Sequence, residues 1–208
     1  MENYHNSMSL FYQVAAHLLL PPPFSSLETE LARIRDSTER SLELLEEYKT
    51  RCNTLYNNLE GLVRELVLVE TDPDKLNGLL NDITVTLYSG YKHVPCPPYE
   101  SIYRIKSKHK MISIPSITDD LRKYYSMLGV EVETGGGIFE DHISVELEFL
   151  SYLHAHKKVN IIKEFISKHP MQWFPEIKKC VLDKTNNIIL IYLFNLINNA
   201  IECDIKIL

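Results

Sequence analysis

The residues best suited to chemistry in this sequence are histidines set close to carboxylates or to other histidines. His142 and Glu146 are four residues apart, which places both on one face of a helix. His154 and His156 are two apart, a spacing that points their side chains to different sides of a helix. The HExxH pattern of zinc hydrolases does not occur. These spacings therefore favour neither metal catalysis nor a bound cofactor.

Two further kinds of active-site motif are also missing from the sequence. No GxSxG elbow is present to hold a nucleophilic serine. The three glycines at 135–137 lack the GxxxxGK[ST] or GxGxxG pattern of a phosphate-binding loop, so we interpret them as a flexible hinge. Together with the metal argument, this predicts a protein that is not an enzyme.

The four cysteines, Cys52, Cys96, Cys180 and Cys203, form no CxxC pair. A zinc ribbon or a CxxC redox motif is therefore not expected. The N-terminus, MENYHNSMSL, has neither the basic nor the apolar region of an export signal. Few cysteines without such a signal are typical of a reducing cytoplasm, so we expect a cytoplasmic protein.

Charge is distributed unevenly along the 208 residues, whose net charge is −6. Residues 1–153 carry 14 Lys and Arg against 23 Asp and Glu, whereas residues 154–208 carry 8 against 5. An acidic balance argues against a nucleic-acid partner. The acidic part is able to attract a basic peptide, although a solvated acidic surface explains the same composition.

Hydrophobic periodicity predicts an all-α fold. We expect nine to ten helices in one domain over residues 1–208, with flexible connections near 90–115 and 130–140. A first helix over 9–20 should stop at Pro21. Residues 25–69 carry one apolar face that is too long for a single helix, and Asp36 with Glu39 predicts the break. The next helix should begin at Asp72 and Pro73 and continue to about residue 89.

The second half of the chain contains one strand-like alternation and several clear helices. Residues 102–114 alternate with a period of two, but no second strong strand exists to pair with them, so we predict an extended loop. Helices should follow from Ser116 or Thr118 to Gly129, from Asp141 or His142 onwards, over 159–168 and over 173–182. Thr185 should cap a last helix. Its ten-residue apolar run at 188–197 is too short to span a bilayer, which predicts a buried core helix and no membrane insertion.

Four segments, in order, resemble the TorD/DmsD/NarJ family of molybdoenzyme maturation chaperones. The most specific is EDHISVELEFLSYL at 140–153. LLLPPPF at 18–24, PPYESIYR at 97–104 and HPMQWFPEI at 169–177 agree with the family in content and position. One departure is the sequence before Asp141, where the family often has a Glu-Pro pair and this chain has residues 137–140, GIFE.

The resemblance implies a cytoplasmic chaperone that binds the catalytic subunit of a molybdopterin-dependent reductase. Such chaperones usually bind the twin-arginine signal peptide of their client, assist cofactor insertion and delay export. Some serve clients without that signal. The expected protein is a monomer or homodimer. An all-helical regulatory or scaffold protein with a different partner is the alternative.

Residues in three of the resembling segments are suited to peptide binding. Carboxylates at Asp141, Glu146 and Glu148 are able to pair with arginines, and aromatic side chains are able to anchor an apolar stretch. Asp141 acting only as a helix cap, and the aromatic residues acting only in core packing, are the alternatives. The predicted client-binding residues are Tyr99, Glu100, Tyr103, Asp141, His142, Glu146 and Trp173.

Overall fold

The fold is all-α, with ten α-helices in the part of the chain that the structure describes. A computed structural model describes residues 1–21, 27–89, 93–106, 114–133 and 138–208. The helices are α1 (Glu2–Leu18), α2 (Leu27–Leu45), α3 (Asn53–Glu70), α4 (Pro73–Ile83), α5 (Glu100–Lys106), α6 (Ile114–Met127), α7 (Ile143–Ala155), α8 (Val159–Lys168), α9 (Pro170–Lys184) and α10 (Ile188–Ile207). The predicted hinge at 135–137 lies outside the described residues.

Helix α1 is central because it packs against α7 on one side and α2 on the other. Helix α10 packs mainly against α3 and α9. The apolar faces of these helices meet in one core whose largest fully buried side chains include Trp173, Tyr4, Tyr12 and Phe11. Helices from both ends of the chain and from its middle therefore share one core. The residues at the start of α7 lie next to this core.

Helix α10 is the one helix among the described residues that is long and apolar enough to cross a membrane, judged by length and composition. Its mean hydropathy is 1.5, and 56% of the tested window is buried inside the protein. The buried residues include Leu190, Phe194 and Ile197. The prediction of a buried core helix is confirmed, although its cap is Asn187 rather than Thr185. The Asn187 side chain accepts hydrogen bonds from the N–H groups of Ile189 and Leu190.

Two predicted boundaries are confirmed in detail. Asp72 caps α4 by accepting hydrogen bonds from the N–H groups of Asp74 and Lys75, and Pro73 occupies the first helical position. At the end of α6, Gly129 takes a φ of +69°, a left-handed conformation that favours glycine.

The predicted break at Asp36 is wrong. Helix α2 runs through this position, where the Asp36 carboxylate accepts a hydrogen bond from Arg35 at 2.8 Å and caps nothing. The break comes later, at a 3-10 turn (Glu46–Tyr48) followed by Cys52, where α3 begins. Tyr48 and Cys52 are both buried there, so tertiary packing fixes the turn.

Three other predicted boundaries also need correction. Helix α1 begins at Glu2, seven residues earlier than predicted, and α6 begins at Ile114 rather than at Ser116 or Thr118. The predicted loop over 102–114 is wrong at its start, because α5 continues to Lys106. Residues 107–113 lie outside the described part. The described residues contain no strand, only an isolated antiparallel bridge between Tyr99 and His142.

Candidate functional site

The seven predicted client-binding residues lie in one cluster, where the starts of α5 and α7 meet α9. We call this set the motif cluster: Tyr99, Glu100, Tyr103, Asp141, His142, Glu146 and Trp173. Short backbone contacts bring the two starts together. The N–H of Ile143 donates to the carbonyl of Pro98 at 2.9 Å, and the N–H of Glu100 donates to the carbonyl of Asp141 at 2.9 Å. These bonds place the Tyr99 ring 5.1 Å from the His142 ring, edge to face.

His142 holds three elements together. Its Nδ1 accepts a hydrogen bond from the N–H of Ser144 at 3.2 Å, so His142, not Asp141, caps α7. Its Nε2 lies 3.0 Å from the Tyr88 hydroxyl, and that hydroxyl donates to the carbonyl of Leu19 after α1. Burial lowers the pKa of His142 to about 3, which keeps the ring neutral at pH 7. A neutral ring that accepts at Nδ1 carries its proton at Nε2, facing Tyr88.

Asp141 caps the neighbouring helix instead of its own. Its Oδ2 accepts a hydrogen bond from the N–H of Ser101 in the first turn of α5, at 3.1 Å. The residue is 4% exposed. A carboxylate at a helix N-terminus satisfies an otherwise unpaired N–H group and is favoured by the helix dipole. The capping role that the sequence left open is therefore real, but it serves α5.

Glu146 carries an unusual buried carboxyl group. Its Oε2 accepts a hydrogen bond from the Trp173 indole N–H at 3.2 Å, while its Oε1 has no hydrogen-bond partner among the described residues. Burial, and then the nearby charge of Glu100, raise the pKa of Glu146 well above its usual value. Glu100 is better satisfied, since it pairs with Arg104 and lies 3.0 Å from Nδ1 of His169.

The motif cluster is mostly interior, with a partly exposed aromatic edge. Glu100, Asp141, His142, Glu146 and Trp173 are buried, whereas Tyr99 and Tyr103 are half-buried. Tyr103 stacks on Trp173 with ring centroids 5.7 Å apart, and Tyr99 contacts Phe139, which is 52% exposed. A partner on this side of the protein meets the aromatic edge first.

Sequence reasoning missed several residues of this site. His169 and Arg104 lie inside segments that carry the family resemblance, so their position was available as a signal. Tyr88 ends a π-helical turn (Thr84–Tyr88) after α4, and no motif marks it. Tyr88 contacts His142, which lies 54 residues later in the sequence, so the residues near Tyr88 do not reveal its role.

A groove opens on the other side of α7. Its volume is about 680 Å³, within the range of ligand pockets. Its apolar wall includes Leu20, Val130, Val132, Ile138, Val145 and Phe149. Three exposed glutamates lie along it: Glu131, Glu133 and Glu148. Helix α7 thus carries Glu146 on its buried side and Glu148 on its groove side.

The pair His142 and Glu146 and the pair His154 and His156 belong to no metal site among the described residues. Among the described residues, no group of three or more His, Cys, Asp and Glu side chains is placed to hold a metal ion. His154 is buried against Asp204 and His5, and His156 is exposed.

Comparison with protein families identifies the chain. The model of the nitrate reductase delta subunit family matches residues 43–179, which include every member of the motif cluster. The chain belongs to the nitrate reductase delta subunit family. This is the NarJ/TorD type of molybdoenzyme maturation chaperone, as the resemblance implied.

A crystal structure assigned as that of a redox enzyme maturation protein from Archaeoglobus fulgidus is similar over 93% of this chain and 92% of that one, with 20% identity and a TM-score of 0.47. Among proteins with curated functions, none matches the sequence. The family match leaves out α1, most of α2, the end of α9 and all of α10.

Proposed function

We propose that this family member is a cytoplasmic, non-enzymatic chaperone for the catalytic subunit of a molybdopterin-dependent oxidoreductase of the DMSO, TMAO or nitrate reductase type. It binds the twin-arginine signal peptide of that subunit, assists insertion of the molybdenum cofactor and delays export. The cofactor belongs to the client, so the chaperone itself needs none.

The observation that carries this proposal is the groove beside α7. A twin-arginine peptide has two cations next to an apolar run, and the groove has three exposed glutamates next to an apolar wall. Ion pairs with Glu131, Glu133 and Glu148 favour the arginines, and burial of the apolar run supplies the remaining affinity. The side chains that line the groove are complementary to such a peptide in both charge and polarity.

In this proposal the motif cluster has two roles. It holds the groove in place, and it provides a second surface that the client peptide contacts. His142 fixes the start of α7 and, through Tyr88, the Leu19 carbonyl next to the groove residue Leu20. Tyr99 and Tyr103 offer a partly exposed aromatic edge, whereas Asp141 is buried and its Oδ2 caps α5. We place the client peptide in the groove beside α7, and one arginine reaches Asp141 only if binding displaces the side chains that bury this carboxylate.

The proposal is tested by peptide binding to charge variants of the groove. The probe is a synthetic peptide with two adjacent arginines followed by about 15 apolar residues, and the variant is Glu131→Gln/Glu133→Gln/Glu148→Gln. Exposed ion pairs contribute roughly 0.2 to 1 kcal/mol each, so we expect roughly threefold to hundredfold weaker binding. Added salt should weaken wild-type binding and affect the variant less.

The matched control neutralises three exposed glutamates elsewhere, with Glu39→Gln/Glu60→Gln/Glu176→Gln. This control should bind like wild type, because it removes negative charge without touching the groove. Equal affinity of the groove variant and the control would contradict the proposed site. A regulatory or scaffold role is favoured if wild type binds no arginine-containing peptide but retains a different protein partner.

A further inference from the structure

All four cysteines are paired in two disulfides that tie late helices to earlier parts of the chain. Cys96 pairs with Cys180 of α9, with Cα atoms 5.9 Å apart, and Cys52 pairs with Cys203 of α10, with Cα atoms 5.7 Å apart. The spacing of the cysteines gave no indication of these pairs. The first pair joins two segments that carry the motif cluster, whereas the second joins the start of α3 to the core.

The segment around Cys96 seats the start of α5. The N–H of Cys96 donates to the carbonyl of Thr86 at 3.0 Å. Two residues later the carbonyl of Pro98 accepts from Ile143, and the N–H of Glu100 donates to Asp141. Any displacement of Cys96 is therefore transmitted within four residues to the contacts that place Tyr99 against His142.

Helix α9 supplies the other side of the same cluster. Cys180 follows Trp173 by seven residues, two helical turns, so both lie on the side of α9 that faces the cluster. The Cys180 sulfur also lies 3.4 Å from the carbonyl of Pro95. The disulfide thus links these two segments covalently. The same segments also contact each other noncovalently, through the stack of Tyr103 on Trp173 and the pair of Glu100 with His169.

Exposure differs between the two disulfides. Cys180 is half-buried, whereas Cys96 is 0%, Cys52 5% and Cys203 2% exposed. Thiol–disulfide exchange requires a thiolate to reach one sulfur of the bond. Cys180 is the most exposed of the four cysteine residues, so exchange should begin there.

We propose that the Cys96–Cys180 disulfide is a redox switch of the client-binding site. A small thiol attacks the Cys180 sulfur as its thiolate, forms a mixed disulfide there and releases Cys96 as a thiolate that takes up a proton. A second thiol then attacks the outer sulfur, leaving Cys180 as a thiol and the reductant as its disulfide. Two reductant thiols are oxidised for each protein disulfide reduced. The oxidised form holds the motif cluster in place, and the reduced form releases it.

The switch itself is testable without a client, because Trp173 is the sole tryptophan of the chain. Its emission reports the contacts with Tyr103 and Glu146. We expect dithiothreitol to change the emission of a Cys52→Ser/Cys203→Ser variant, which keeps only the proposed switch. The matched Cys96→Ser/Cys180→Ser variant should show no change on reduction. Identical emission of the first variant before and after reduction would overturn the proposal.

Wild-type protein gives the same answer if a variant fails to fold. Reduction is stopped at intervals by alkylation, and mass spectrometry measures labelling of each cysteine. Cys96 and Cys180 should be labelled before Cys52 and Cys203, and the emission change should follow their labelling. Emission that instead follows Cys52 and Cys203 would contradict the proposal.

The affinity consequence rests on the proposed function and uses the same twin-arginine peptide. Ordering one released side chain on binding costs roughly 0.5 to 1.5 kcal/mol, so the reduced protein should bind roughly twofold to tenfold more weakly. Equal affinity in both redox forms would overturn control of the site while leaving the proposed function intact. Absence of binding in both forms would overturn the proposed function, and the emission measurement would still decide whether the switch exists.

Discussion

Two buried polar clusters in this protein differ in how completely they are satisfied. The first, which we call the core network, consists of Tyr4, His5, Tyr12, His154 and Asp204. Both carboxylate oxygens of Asp204 are used there. Oδ1 accepts from the Tyr4 hydroxyl at 2.6 Å, and Oδ2 accepts from the Tyr12 hydroxyl at 2.7 Å and lies 3.2 Å from Nε2 of His154.

The motif cluster is less completely buried, because Tyr99 and Tyr103 are half-buried, and one of its carboxyl groups is incompletely paired. Glu146 has a raised pKa, and its Oε1 has no hydrogen-bond partner among the described residues, although its Oε2 accepts from the Trp173 indole N–H. An unpaired buried polar atom destabilises a fold, so this carboxyl group contributes less to stability than the fully paired Asp204. The core network thus joins the terminal helices through fully paired groups, whereas the motif cluster, for which we propose a role in client binding, leaves one buried oxygen unpaired among the described residues.

The largest effect should come from Asp204→Asn in the core network. Tyr4, Tyr12 and His154 all direct polar groups at the Asp204 carboxylate. An amide replaces one of its acceptor oxygens with an N–H donor and removes its negative charge. We expect the free energy of unfolding to fall by about 3 to 5 kcal/mol, measured by urea denaturation. The exposed Asp183→Asn is the control and should change stability little. A loss below about 1 kcal/mol for Asp204→Asn would remove the distinction between the clusters.

An intermediate effect should come from His142→Asn and should depend on pH. The pKa of His142 is lowered to about 3 in the folded state, so the unfolded state binds the proton first as pH falls below about 6.5. Wild type should therefore lose about 2 kcal/mol of stability between pH 7 and pH 5 from this residue.

Asparagine caps helices well but does not titrate, so His142→Asn should lack that part of the acid sensitivity. Its measurement is chemical denaturation at pH 7 and pH 5, with the exposed His156→Asn as control. The same pH dependence in wild type and His142→Asn would show that His142 titrates normally.

The smallest effect should come from Glu146→Gln. Glutamine keeps an acceptor for Trp173 and removes a charge that burial and Glu100 disfavour. Because the pKa of Glu146 is raised in the folded state, this residue contributes most to the stability of wild type below about pH 4.5. Its contribution falls as the pH rises. The variant should thus be within about 1 kcal/mol of wild type at pH 5 and should gain relative stability towards pH 8. The measurement is the Tm of variant and wild type in parallel thermal melts from pH 5 to pH 8. If Glu146→Gln loses stability relative to wild type over that range, the raised pKa of Glu146 is contradicted.

Much of this architecture could be predicted from the sequence, since local rules fixed it. Asp72 with Pro73 and the left-handed Gly129 show their roles without tertiary information. The family segments contain the seven residues that the structure brings together, and their role in client binding stays a prediction. The helix break predicted at Asp36 was wrong, because packing of Tyr48 and Cys52 in the core places the break there instead. The disulfides, the Tyr88 contact and the helix that Asp141 caps were not predictable, since each depends on residues far apart in sequence.

The most direct test of the central claim compares Asp141→Asn with Asp204→Asn. Asparagine at 141 retains an acceptor for the Ser101 N–H but removes the charge proposed for the client arginine. A charge-assisted hydrogen bond contributes roughly 1.5 to 3 kcal/mol, so titration calorimetry with the twin-arginine peptide should show about a tenfold to hundredfold weaker Kd for Asp141→Asn. Its Tm should match wild type, whereas Asp204→Asn should lower Tm and leave Kd unchanged while folded. Unchanged affinity in Asp141→Asn would contradict the assignment of the motif cluster to client binding.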